Sequence, residues 1–223
     1  FPTRRSSDLQ ELRQNEAPSP GSASPSLVRY HLVFWLLVLI FFGSDVVSKR
    51  VVFDQQGIDA SKSQDDIIDD LRMNRQRERL TGGALGRPLF GDWFYLTPVK
   101  NIGAAWSSFS GRITTLSILS IIVSGCLAAW QLSGALRKEP PVMRLVVAML
   151  LGGALGNLWD RLFFGGVRDF LNLVKPFNYP VFNVADIWLT LGVVIYAAAY
   201  LRYYLIEKKA LAAQSQTDRS GAV

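Results

Sequence analysis

Residues 142–159, VMRLVVAMLLGGALGNLW, followed by DRLFFGGVRDF at 160–170, decide how this chain is read. The first stretch is apolar and carries GGALG at 152–156, and Asn157 with the following Asp160 and Arg161 closes it. A helix of this length approaches the ~20 residues that cross a hydrocarbon core of about 30 Å. Its glycines suit close approach of a neighbouring helix. A phosphate-binding loop would need GxGxxG after a strand, and neither is present. The stretch therefore predicts a packed helix within a membrane bundle.

Three more runs have the same character, at about 32–47, 113–136 and 184–204. The composition agrees: 49% of the 223 residues are hydrophobic and 19% charged, and the mean hydropathy is +0.19. Such charge depletion with grouped apolar runs marks a multi-pass membrane protein. The lone Cys126 rules out an internal disulfide or a cysteine zinc cluster, and the lone His31 leaves no histidine cage and little room for a Ser-His-Asp triad. No metal site is expected. Chemistry must come from carboxylates, amides, hydroxyls, Lys and Arg. The net charge of +6 is scattered beside apolar runs, which suits anionic lipid head groups and not nucleic acid.

Residues 1–28 are polar and rich in Ser and Pro, and are expected to be a disordered tail. With no cleavable leader before it, the first run is expected to stay as an anchor. Arg29, the Arg137, Lys138 and Arg144 group, and Arg202, Lys208 and Lys209 all fall on one side of a four-span bundle. The positive-inside rule makes that side cytoplasmic, with both termini inside and a cytoplasmic tail at 207–223. Residues 49–112 and 160–183 then lie outside. Within the first, a surface helix is expected, capped by Ser63, with Asp65 and Asp66 in its first turn, Arg77 and Arg79 in its last, and Gly82 to stop it. The stretch GDWFYLTPVKNIGAAWSSFSG at 91–111 suggests short strands on the membrane surface.

The polar residues at the outer ends need a reason, because a charge at a span centre costs roughly 2.5–3.5 kcal/mol on the insertion scale. Asp45 and Lys49 are four apart and share a helix face, as an ion pair would. Asn101 precedes span two, Asn157, Asp160 and Arg161 end span three, Asp169 follows in a glycine-flanked loop, and Asn183 and Asp186 open span four. Each has an ordinary reading: Asp160 with Arg161 as an interfacial pair, Asn183 as an N-cap, Asp186 as a helix-dipole partner, Asp169 as a loop acid. All converge on one face. Two carboxylates held together split their proton affinities, so that one is an acid and the other a base near neutral pH. That is the chemistry of an aspartic protease, although DTG, DSG and GxGD are absent.

DVVSK at 45–49, NIGAAWS at 101–107, GGALGNLWDRLFFGGVRDF at 152–170 and FNVADIWLTLG at 182–192 resemble, in order, the motifs of lipoprotein signal peptidase (signal peptidase II), a bacterial inner-membrane aspartyl protease family. The resemblance implies an all-α membrane protein of four transmembrane helices with a small periplasmic β-cradle and a short periplasmic helix. The peptidase domain would cover 29–206, with a periplasmic insert at 54–90 longer than is usual in the family. It implies Asp169 and Asp186 as the catalytic pair. Asn101, Gly103, Asn157, Asp160, Arg161 and Asn183 would orient them or hold the substrate backbone, and Asp45 and Lys49 would give structural support. The implied substrate is a diacylglyceryl-modified prolipoprotein, cleaved just before its lipidated Cys by a monomer that needs no cofactor.

Two readings of other classes compete. A transporter or channel using Asp45, Asp160 and Asp186 as a relay would spread carboxylates through the bilayer depth. A membrane scaffold would leave the GNLWDRL, GGVRDF and FNVAD cluster without a purpose.

Overall fold

The structure, a computed structural model, describes residues 27–63, 65–67, 69, 87–91, 93–103, 113–174 and 179–220. The expected tail before residue 27, and Arg77, Arg79 and Gly82, lie outside the described residues. The elements are α1 (Leu27–Gln55), β1 (Arg87–Phe90), β2 (Phe94–Asn101), α2 (Ile113–Leu132), a 3-10 turn (Ala135–Lys138), α3 (Pro141–Phe164), β3 (Val167–Leu173) and α4 (Val184–Ser220). The chain divides into two compact units, one ending at Val33 and the other running from Phe34. The described part of the first is the start of α1, where the Tyr30 and His31 rings meet edge to face at 5.0 Å. Everything below concerns the second unit.

Among the described residues, four helices are long and apolar enough to cross a membrane: α1, α2, α3 and α4 through Lys209. Each expected span lies within or across one of them. The helices run past the apolar runs, α1 through SKRVVFDQ at 48–55 and α4 to Ser220, because hydropathy marks only the part that lipid would cover and not where the helical backbone ends. Helix α2 instead stops at Leu132, short of the expected 136, and gives way to the 3-10 turn.

Helix α3 is the centre of the bundle. Of its apolar window 61% is buried, against 22%, 11% and 11% for the others. That explains why its sequence is the least apolar of the four: it touches protein where the others would touch lipid. Pro141 sits at its first turn, where a missing N–H costs nothing. Helix α2 shows the converse arrangement. Its buried residues are Ser117, Ser124 and Gln131, at heptad spacing, while Ile118, Leu119, Ile121 and Ile122 are exposed. Lipid is as apolar as leucine, so small and polar residues take the interhelical seam.

The glycines of GGALG do what close packing requires. A Cβ at Gly152 would meet the Phe41 Cβ at 2.6 Å and the Val38 carbonyl at 3.1 Å, both on α1. One at Gly153 would meet the Ala185 carbonyl at 2.8 Å, on α4. Gly156 faces the carboxylate of Asp45. Trp188 closes the same seam, its Nε1 donating to Ser44 Oγ at 2.9 Å and its ring lying 4.7 Å from that of Phe41. We expect Gly153→Ala to lower stability by about 1–3 kcal/mol, because a backbone carbonyl must move. Gly192→Ala should cost less, since its neighbours are the ends of the Leu150 side chain. Thermal unfolding of the two variants in detergent tests the difference.

The three strands form one antiparallel sheet in the order β1-β2-β3. Strand β2 falls in the segment expected to hold strands. Strand β3 corrects the reading of Asp169 as a loop acid. Helix α3 ends at Gly165 in the left-handed region (φ 65°), and the chain enters β3 one residue after Gly166. Residues 167–171 are all buried. With both faces covered, VRDFLNL shows no alternation of apolar and polar residues, which is why the strand was not legible. A second apolar cluster, of Phe53, Ile58, Ala60, Ile67, Phe170 and Leu171 with Val52, fastens the start of the insert to β3. There Ser63 is the expected cap: its Oγ accepts the Asp66 N–H at 3.2 Å and donates to Asp66 Oδ2 at 2.7 Å.

Candidate active site

The polar groups singled out in the sequence come together where the C-terminal part of α1, the end of α3, the sheet and the start of α4 meet. Asn183 is the N-cap of α4. Its Oδ1 accepts the Asp186 N–H at 3.0 Å, and Asp186 Oδ2 accepts the Asn183 N–H at 3.2 Å, a reciprocal capping box. With its oxygen committed to the helix, the Asn183 amide can present only its two N–H donors on the other side. They go to Asp169 Oδ1 at 2.6 Å and to Asn157 Oδ1 at 3.0 Å. Asn183 thus touches both Asp169 and Asp186.

The same bookkeeping fixes Asn157. Its Oδ1 accepts from Asn183 and from Lys49 Nζ (3.2 Å), so its nitrogen faces Asp186 and donates to Oδ1 at 2.9 Å. Asn101, at the end of β2, donates to Asp169 Oδ2 at 3.0 Å and is itself held by the Gly103 N–H at 3.0 Å. Gly103 therefore supports Asn101 through its backbone.

Asp169 is only 3% exposed, whereas Asp186 is half-buried. Burial chiefly, and then the charge of Asp186, push the Asp169 carboxyl up to about 7, against the opposing hydrogen bonds of Asn101 and Asn183 and the charge of Lys49. Near neutral pH the Asp169 carboxyl can therefore hold a proton.

Lys49 is the buried centre of the supporting structure. Its ammonium lies 2.6 Å from Asp45 Oδ2, 3.2 Å from Asn157 Oδ1 and 3.3 Å from Asp160 Oδ2, three partners for three N–H donors. The expected Asp45–Lys49 pair is present. Asp45 also accepts the Ala185 N–H at 2.8 Å, placing a carboxylate at the N-terminus of α4.

The expected pairing of Asp160 with Arg161 does not occur. Asp160 is fully buried, and Arg168 on β3 grips it with its backbone N–H (2.8 Å), Nε (3.2 Å) and Nη2 (2.7 Å). Neighbours in a helix point in different directions, whereas the Gly165–Gly166 turn folds β3 back over the last turn of α3. Arg161 instead donates from Nη1 to Ser120 Oγ and to the Asn157 carbonyl, both at 3.3 Å. Arg168 is the residue that the sequence reading missed. It was legible only as the basic member of GGVRDF, with nothing to say that its partner lay eight residues back. The described residues hold no group of three or more His, Cys, Asp or Glu that could bind a metal.

Comparison with known proteins identifies the family. The family model described as signal peptidase (SPase) II matches residues 37–202, which contain nearly every group named above. A lipoprotein signal peptidase of Clostridium acetobutylicum is 37% identical over 112 residues, covering 49% of this chain and 71% of the relative. One from Moorella thermoacetica is 42% identical over 109 residues, covering 48% and 69%. A bacterial membrane enzyme solved at 1.9 Å superposes with a TM-score of 0.55 at 25% identity, covering 76% of this chain and 92% of its own. Four membrane-length helices, a three-stranded sheet and a family match over most of the chain lead to one conclusion: this chain belongs to the signal peptidase II family.

Proposed function

We propose that this chain is an aspartic endopeptidase that removes signal peptides from diacylglyceryl-modified prolipoproteins, cutting just before the lipidated Cys. Asp169 and Asp186 form the catalytic pair. The observation that carries this reading is the bridge through Asn183, whose side chain and backbone N–H reach one acid each. Asn101, Asn157 and Asn183 hold the pair, and Gly103 holds Asn101. Asp45, Lys49 and Asp160 brace the elements that carry them. Arg161, engaged through a single nitrogen, takes substrate backbone carbonyls.

The steps follow from the two environments. Asp186 takes a proton from water, and the hydroxyl oxygen attacks the scissile carbonyl carbon while Asp169 gives its proton to the carbonyl oxygen. The resulting gem-diol returns a proton to Asp169. Asp186 then protonates the leaving nitrogen as the C–N bond breaks, freeing the signal peptide carboxyl and the amine of the lipidated Cys. No cofactor enters, and one chain supplies both acids, so a monomer suffices.

Orientation follows from charge. Arg137 and Lys138 lie in the 3-10 turn that precedes α3 and Arg144 near its start, at the opposite end of the helix from Asn157 and Asp160. With the basic end cytoplasmic, the multi-pass protein sits in a bacterial inner membrane with both termini inside and the acids at the periplasmic surface. An acyl anchor brings the scissile bond to that surface, and lateral diffusion replaces capture from bulk water. The convergence of Asp45, Asp160 and Asp186 at one place argues against a relay across the bilayer.

The test is incubation of the purified protein with diacylated and non-acylated prolipoprotein, with the cut located by mass. Cleavage before the lipidated Cys in the acylated substrate alone is expected; equal cleavage of both, or a cut elsewhere, would overturn the proposal. Asp169 binds its proton more tightly in the folded chain than in the unfolded one. Stability linked to that proton is therefore complete below the unfolded value of about 3.9, and is lost as pH rises through about 7. In the same assay the rate should fall roughly tenfold per pH unit above that point.

A further inference from the structure

Lys100 has no part in the chemistry just described, yet it is only 6% exposed and built into the sheet beside the acids. It is paired with Arg168 on β3 and directly precedes Asn101. Alternation along a strand sends Lys100 and Asn101 to opposite faces, Asn101 toward Asp169 and Lys100 toward the insert. Its stem crosses Gly166, where a Cβ would stand 3.1 Å from Lys100 Cγ and 3.3 Å from Cε. Its Nζ donates to the Lys62 carbonyl at 2.7 Å.

That carbonyl is a fixed point. Residues 59–62 form a turn in which Asp59 Oδ1 accepts both the N–H (2.9 Å) and the Oγ–H (2.7 Å) of Ser61, and the Lys62 N–H returns to the Asp59 carbonyl at 3.2 Å. The next residue, Ser63, caps the insert helix. Ile58, Ala60 and Ile67 of the same segment pack against Phe170 and Leu171, which follow Asp169 in the chain. The start of the insert is thus attached to β3 by apolar contact and to β2 by two part-buried hydrogen bonds, from Gln56 Nε2 to the Leu96 carbonyl at 3.2 Å and, at the end of the strand next to Asn101, from Lys100 to the Lys62 carbonyl.

We propose that Lys100 is a positioning residue for the acid pair: by tying the end of β2 to the Lys62 carbonyl, it holds Asn101 at Asp169 and couples the insert to the site. This rests on the peptidase reading above. Asn101 favours the charged form of Asp169, so a looser Asn101 leaves that carboxyl protonated to higher pH.

The experiment compares Lys100→Met, which keeps the stem over Gly166 and removes the donor, with Lys100→Arg, which restores one. Both are assayed on diacylated prolipoprotein, alone and in an Asn101→Ala background. Lys100→Met should lower kcat roughly tenfold with KM within about twofold, and move the alkaline limb of the pH profile upward. Lys100→Arg should recover most of the loss. In the Asn101→Ala background, Lys100→Met should cost less than about twofold, because the group through which it acts is gone. An unchanged kcat in Lys100→Met, an unmoved alkaline limb, or the same loss with and without Asn101 would overturn the inference. Asp169→Asn serves as the control: if it still processes substrate, the peptidase reading fails, and if it is inert while Lys100→Met matches the parent, only the role of Lys100 fails.

Discussion

Asp169→Asn and Asp186→Asn should each lower the cleavage rate by roughly 10⁴-fold or more, because neither amide can take a proton from water or give one to a carbonyl. The surroundings add a second effect. Both oxygens of Asp169 accept N–H bonds, from Asn183 and Asn101, and both oxygens of Asp186 do the same, from Asn157 and the Asn183 backbone. Whichever oxygen becomes an NH₂ then faces another donor, at a cost of about 1–3 kcal/mol. The activity loss must therefore be read beside membrane insertion and thermal unfolding. A variant that unfolds only modestly earlier and is inert separates chemistry from folding. Undiminished processing by either folded variant would refute the catalytic assignment.

The largest structural loss is expected from Lys49→Met. Removing the ammonium leaves Asp45 and Asp160 in the interior with one fewer cation between them, and breaking a buried pair typically costs about 3–5 kcal/mol. Both acids should feel it. Asp45 would hold the N-terminus of α4, and thus Asp186, less firmly through the Ala185 N–H, while Asn157 would lose a donor to its oxygen. Asp160 retains Arg168. Asp45→Asn added to Lys49→Met should therefore restore part of the stability, since it removes the carboxylate left without a cation. Thermal unfolding of the single and double variants in detergent measures this coupling. A double variant that loses the sum of the two single losses would show that Lys49 is not the shared partner.

The four spans were legible because a membrane imposes a pattern that needs no tertiary knowledge: long apolar runs with charge at their ends. The Asp45–Lys49 pair, the Ser63 cap and the Asn183 cap were legible for a similar reason, each being a contact within one helical turn. The rest was not. Lys49 meets Asn157 across 108 positions, Asp45 meets Ala185 across 140, and Asn101 meets Asp169 across 68, and no local periodicity encodes such distances. The motifs of the family resemblance selected Asp169 and Asp186 from among the acids; composition alone left Asp45 and Asp160 equally eligible. Arg168 carries no local signal, because its partner Asp160 lies eight positions back across the Gly165–Gly166 turn, and only the strand buries the pair against the end of α3.

The central claim is that two acids from distant parts of the chain form one proton-sharing unit, and carboxyl infrared titration tests it without relying on turnover. The protonated-carboxyl band of the parent protein should disappear with a midpoint of about pH 7 and be missing in Asp169→Asn. In Asp186→Asn the midpoint should fall, because the charge that helps to raise it has been removed. A midpoint in the ordinary carboxyl range, or one that Asp186→Asn leaves unmoved, would contradict the account.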